Sequence, residues 1–167
     1  MNKIITGIGA RATPQPILEK FFDLGAFFAK KGWTLRSGGA NGADKYWETG
    51  FDQELGKTEI YLPWKGFNDN HSPLFNIPIG AKLIASKRYK KWDESKSSVQ
   101  NLMSRNVMQI LGMDLNTPSD LVVCWTEGGK DIGGTSFAVK LARELNIPVF
   151  NFGGNGEEEL KKWWKSL

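Results

Sequence analysis

Glycines gather at three places in this chain, and each gathering carries polar side chains suited to an anion. GIGAR (7–11) holds Gly7, Gly9 and Arg11, and SGGANGAD (37–44) holds Ser37, Gly38, Gly39, Asn41, Gly42 and Asp44. GGKDIGGT (128–135) ends in Gly133, Gly134 and Thr135. A glycine loop running into a helix can point backbone N–H groups at a phosphate, and the helix adds partial positive charge there. The amides of 133–135 are the expected phosphate holders. The Thr135 hydroxyl either caps the helix or contacts the phosphate. Arg11 either grips the anion or is simply solvated. Arg36 and Arg105 are similar candidates, the latter followed by Asn106 in the polar trio SRN (104–106).

Carboxylates offer a second kind of chemistry. Asp44 and Glu48 stand four residues apart, on one face of a helix. There they bind ribose hydroxyls, do acid–base work or are solvated. A basic, aromatic stretch, YLPWKGFNDNHS (61–72) through SKRYKKWDESKSS (86–98), contains Trp64, Lys65 and His71. Such a mixture can stack bases and neutralise phosphates, cover a nucleotide or form a subunit contact. Trp125 either stacks on a base or ribose or belongs to the core.

The elements that must position these groups alternate. KIITG (3–7), WTLRS (33–37), TEIYLP (58–63), LVVCW (121–125) and IPVFN (147–151) read as strands. Helical spacing fills 16–32, 38–56 after its loop, 98–114 and the segment behind Gly134, and 157–167 closes the chain. Residues 64–97 lack a steady period and read as an inserted excursion with a short helix near 79–89. Strands alternating with helices predict one α/β domain, a Rossmann-like parallel sheet with helices on both faces. Ligands of such sheets sit beyond the carboxyl ends of the strands, and all three glycine clusters fall at that edge.

Bulk properties narrow the function classes. Seven Trp and ten Phe within 167 residues suit a globular core. No apolar run is long enough for a bilayer span, and the N-terminus lacks a signal-peptide layout. A cytoplasmic location follows as the expectation, and the single cysteine, Cys124, suits a reducing compartment as a buried hydrophobe. One His and one Cys argue against a structural zinc site, and neither metal nor resident cofactor is expected. A net charge of +4 suits an anionic ligand without demanding nucleic acid. There is no G-x-x-x-x-G-K-[ST], and GIGARA has Ala12 where the dinucleotide fingerprint has its third glycine.

Together TGIGARATP, LRSGGANGAD, EIYLPWKGFN and the GGT…IPVFN ending resemble the SLOG superfamily of Rossmann-like domains. The likeness is strongest to small, single-domain DprA/Smf-like proteins of the kind bacteriophages carry, and more distant to the LOG phosphoribohydrolases. It implies a pocket lined by these loops, frequent homo-oligomerisation, and ligands that are nucleotides, nucleotide-derived signals or single-stranded DNA. LOG enzymes carry P-G-G-x-G-T-x-x-E, whose glutamate serves glycosidic cleavage. Here Ala138 occupies that position, so their hydrolysis does not carry over. SRN echoes the arginine–asparagine motif of the DprA family, but the chain lacks room for that family's additional domains.

Three readings result. The first is a binding module for a nucleotide-derived, phosphate-bearing small molecule. In a phage protein acting in a bacterial host, this would sequester an immune signal such as a cyclic nucleotide. The second is a hydrolase of a nucleotide derivative using Asp44, Glu48, Glu127 or Asp131. The third is a single-stranded nucleic-acid binder using the basic, aromatic excursion.

Overall fold

The computed structural model describes residues 2–167. Five short parallel strands form one sheet: β1 (Ile4–Gly7), β2 (Thr34–Ser37), β3 (Lys57–Ile60), β4 (Leu121–Cys124) and β5 (Val149–Asn151). Their order is β3-β2-β1-β4-β5. The helices are α1 (Gln15–Lys30), α2 (Ala43–Gln53), α3 (Ile79–Arg88), α4 (Ser97–Leu111), α5 (Gly134–Glu144) and α6 (Gly156–Lys165). The Rossmann-like sandwich expected from the alternating pattern is the observed fold. The chain leaves β1 toward β2 on one side and returns to β4 on the other. The topological switch point therefore lies between β1 and β4, where such sheets bind ligands.

Side-chain alternation divides the core into two layers. Ile5, Leu35, Leu121 and Val123 face one layer with Phe21, Phe28, Trp47, Phe51 and Leu160 from α1, α2 and α6. Val122 and Cys124 face the other with Val107, Met108, Ile110, Ala138, Val139 and Ala142 from α4 and α5. Every β1, β2 and β4 residue is buried, as central strands covered on both faces must be. Phe21 stacks on Trp47 with centroids 5.1 Å apart, a pairing worth about 0.5–1.5 kcal/mol beyond area burial.

Close approach of α1 to α2 depends on two glycines. A Cβ on Gly25 would stand 2.8 Å from the Trp47 carbonyl oxygen, and one on Gly50 would stand 2.3 Å from that of Phe22. Thr6, Thr34, Arg36 and Ser37 are the buried polar residues inside the sheet. The Thr6 hydroxyl donates to the Gln109 carbonyl at 2.6 Å. Arg36 Nε reaches Glu59 at 3.0 Å, and its Nη1 reaches the Thr117 carbonyl at 2.5 Å. Arg36, a candidate anion grip in the sequence, thus ties β2 to β3 and to the segment after α4.

The 64–97 excursion is folded against the rest of the domain, with α3 packed on α4. Ala81 and Ala85 of α3 are buried with α4 residues in one layer, while Phe67 joins the other. Cys124 is buried and its thiol is pushed up to about 12 by desolvation. It is a small hydrophobe here, as its apolar surroundings in the sequence suggested.

Candidate functional site

A cavity of about 290 Å³ opens at the carboxyl edge of the sheet, over the β1/β4 switch point. Five parts of the chain wall it. The loop after β1 gives Gly9 and Arg11, and the β2–α2 region gives Ala40 and Asp44. From α4 come Met103, Arg105, Asn106 and Gln109, and from the α5 entry Gly133, Gly134 and Thr135. Phe67 of the excursion completes the wall.

Gly133 is the N-cap of α5, with φ +80°, a conformation that only glycine adopts freely. The amides of Gly133, Gly134 and Thr135 have no acceptor among the described residues. First-turn N–H groups have no partner inside the helix, so these three remain available to an anion. Thr135 is not the cap, which removes one of the two roles its sequence position allowed. Its hydroxyl makes no hydrogen bond with the described residues and sits in the cavity wall.

Arg105 is the second polar feature of the cavity wall. It is 6% exposed and is held by three acceptors. Its Nη1 donates to the carbonyls of Gly38 and of Tyr61, the latter at 3.1 Å, and its Nε donates to Asn106 Oδ1 at 3.1 Å. The guanidinium lies over the Phe67 ring, 5.6 Å from its centroid. Nη2 donates to no acceptor among the described residues. Asn106 turns its amide to the Gly134 carbonyl at 3.2 Å, which joins α4 to the phosphate-loop candidate. The two residues singled out as a motif therefore share one network.

Asp44 faces the same cavity and is 4% exposed. Its Oδ2 accepts the Ala40 amide at 3.2 Å. Burial pushes its carboxyl up to about 6, and the nearby Arg105 charge holds it back from rising further. Burial in turn lowers Arg105 to about 10, with Asp44 opposing. Both shifts have the same main cause, the scarcity of water around two buried groups of opposite charge.

The remaining sequence candidates fall elsewhere. Gly7 packs against Trp47, whose ring would lie 2.3 Å from an added Cβ. Ser37 donates its hydroxyl to the Gly7 carbonyl at 2.6 Å. Gly38 lets Arg105 and Gln109 approach, since a Cβ there would meet Gln109 Nε2 at 2.2 Å. Gly39 is pressed against Leu62, and Gly42 against the Arg11 carbonyl. Asn41 is exposed beside them. The β2 loop thus seats Arg105 and touches the β1 loop, while the cavity itself receives only Ala40 and Asp44 from this region. Trp64 and Lys65 are exposed outside the cavity, where Trp64 meets Phe67 edge-on at 5.3 Å. Trp125 is a member of the core.

Asp44 and Glu48 are not brought into one site. Glu48 lines a separate cleft with His71 and accepts the Asn70 amide at 2.9 Å. Burial, followed by the neighbouring Asp52, raises its carboxyl. Asp131 is paired with Arg143 at 2.7 Å, and Glu127 is exposed outside the cavity. Ala138, at the position of the LOG glutamate, is fully buried in α5.

Some wall residues escaped the sequence reading. Gln109 follows Arg105 by four residues and so shares its helix face, a signal that could have found it. Leu102 and Met103 read as core and Phe67 as part of the excursion, and each contributes one side to the wall. Among the described residues no cluster of three or more His, Cys, Asp or Glu side chains is arranged to hold a metal. No helix of the described residues is long and apolar enough to cross a membrane.

The order of the strands and the cavity at the switch point define the chain as a five-stranded Rossmann-like α/β protein. Neither a family model nor a curated relative matches it. Solved structures do. The molybdenum cofactor carrier protein of Chlamydomonas reinhardtii matches with a TM-score of 0.56 and 24% identity, over 99% of this chain and 84% of that one. A second structure of that carrier gives 0.58 and 20%, with the same coverage. The molybdenum cofactor binding protein of the phototrophic bacterium Rippkaea orientalis gives 0.53 and 23%, over 90% of this chain and 76% of that one. At these identities the likeness establishes the fold.

Proposed function

We propose that the chain is a binding or carrier protein for a small, phosphate-bearing heterocyclic molecule held in the switch-point cavity. The single observation that carries this reading is the joining of two features in one cavity wall. These are the three unpartnered amides of 133–135 and the buried Arg105. In this arrangement the amides and Arg11 receive the phosphate, while Arg105, Asp44 and Phe67 meet the remainder of the molecule.

The names of the structural neighbours favour the molybdenum cofactor, a phosphate-bearing pterin, as the cargo. A nucleotide-derived signal is the other cargo that glycine loops of this kind accept. Binding is favoured over hydrolysis because Asp44 and Glu48 stand in different cavities and Ala138 supplies no carboxylate. Acid–base cleavage needs two groups that reach one bond.

Native mass spectrometry of the purified protein, then denaturation and identification of what is released, tests the proposal. The expected result is an intact phosphate-bearing pterin or nucleotide, recovered in constant ratio to the chain. Incubation with candidate nucleotides that yields a free base and a sugar phosphate would overturn the binding reading and return the search to Asp44.

A further inference from the structure

A second cavity, of about 520 Å³, shares Met103, Gly133 and Gly134 with the first. Its other walls come from the end of α3 and the outer face of α5. They carry Arg88, Lys90, Lys91 and Lys140, with no carboxylate among the lining residues. Arg88 is neutralised by Glu144 at 2.8 Å. Lys90, Lys91 and Lys140 form no ion pair among the described residues. The rings of Tyr89 and Phe137 meet edge-on at 6.4 Å and give this cavity an apolar side.

Three ammonium groups around one concavity repel one another, and a bound anion relieves that repulsion. The two cavities meet where the chain has least bulk. A Cβ added to Gly133 would meet nothing within 4 Å, and one on Gly134 would reach only Met103 Cε at 4.0 Å. A ligand can therefore pass along the Gly133–Gly134 backbone from one compartment to the other.

We propose that the ligand spans both compartments and carries two phosphoryl groups. One lies at the 133–135 amides and the other among Lys90, Lys91 and Lys140. This rests on the binding function proposed above and, of the two cargoes named there, favours a nucleotide-derived diphosphate or another bis-phosphorylated molecule over the singly phosphorylated pterin. A single phosphate leaves the lysine compartment without its anion, whereas a diphosphate engages both.

Calorimetric titration with inorganic phosphate and with pyrophosphate at constant ionic strength tests this. The wild-type chain should bind pyrophosphate more tightly by roughly tenfold or more, since charge-assisted contacts are each worth at least that factor. The K91Q/K140Q double variant should lose most of that advantage and keep its affinity for phosphate. These side chains are exposed, so the variant should fold, which circular dichroism verifies. K161Q/K162Q on α6 removes the same charge far from the site in sequence and should leave both affinities unchanged.

Equal affinity for the two anions in the wild type, or a pyrophosphate advantage that survives K91Q/K140Q, would overturn the two-phosphate inference and leave the binding function standing. Failure of the wild type to bind either anion would overturn both.

Discussion

At the scale of single residues, the site is a contrast between groups left free and groups tightly held. The amides of Gly133, Gly134 and Thr135 are free, whereas Arg105 is fixed by Gly38, Tyr61 and Asn106. Asp44 lies between these extremes and carries a pH signature. Its folded-state carboxyl, at about 6, lies above the ordinary value of 3.8. A raised acid contributes stability that is fully present below about pH 4 and is lost as pH rises through about 6. Asp44→Asn should abolish that loss. The stability gap between variant and parent should shift in the variant's favour by about 3 kcal/mol from pH 4 to pH 7. Urea midpoints of both proteins across this range measure it, and parallel curves would show that Asp44 is not the titrating group. The same ionisation places a negative charge in an anion site. Binding of sulfate, which does not titrate in this range, should weaken as pH rises through about 6 in the parent but not in the variant.

At the scale of elements, the glycine clusters do two jobs that look alike in a sequence. Near α5 they leave backbone bare, but near β2 they let side chains pack against backbone. Period and apolar runs made the five strands and most helices legible, because burial on both faces demands an apolar strand and burial on one face a helical stripe. The excursion hid its contribution, since the places of Phe67 and of Lys90 and Lys91 depend on packing over α4 rather than on local spacing. Arg36 and Arg105 show the same limit. Each follows a pattern typical of a ligand-facing arginine, yet Glu59 and Thr117 claim the former, while the latter reaches the cavity. Nothing local separates them, because the distinction lies in which carbonyls the tertiary fold brings near. The α1–α2 contact gives a sharper element-level expectation. Gly50→Ala sets a Cβ 2.3 Å from the Phe22 carbonyl oxygen, so the helices must part. A destabilisation of about 1–3 kcal/mol is expected, read as a lower urea midpoint with an unchanged slope. A variant as stable as the parent would show that these helices have slack.

At the scale of the whole molecule, ligand and fold are linked by mass action. A ligand that binds only the folded chain stabilises it by about 2.7 kcal/mol at one hundred times its dissociation constant. For a chain of this size that corresponds to roughly 5–10 °C in the thermal midpoint. Pyrophosphate should produce such a rise, and equal concentrations of chloride should not. A midpoint that does not respond to pyrophosphate would contradict specific binding to the folded state.

The strand order also has a consequence for how the chain is made. β1 is the central strand and is made before both of its neighbours, yet Ile5 pairs with Leu121 and Gly7 with Val123. Until β4 emerges, one hydrogen-bonding edge of the central strand has no neighbour, and such an edge invites pairing with another chain. The Gly133–Thr135 lip is made later still. On the proposed function, a nascent chain therefore cannot hold its ligand until four of its five strands exist. On that function, a ligand touching both the loop after β1 and the start of α5 bridges segments made far apart in time.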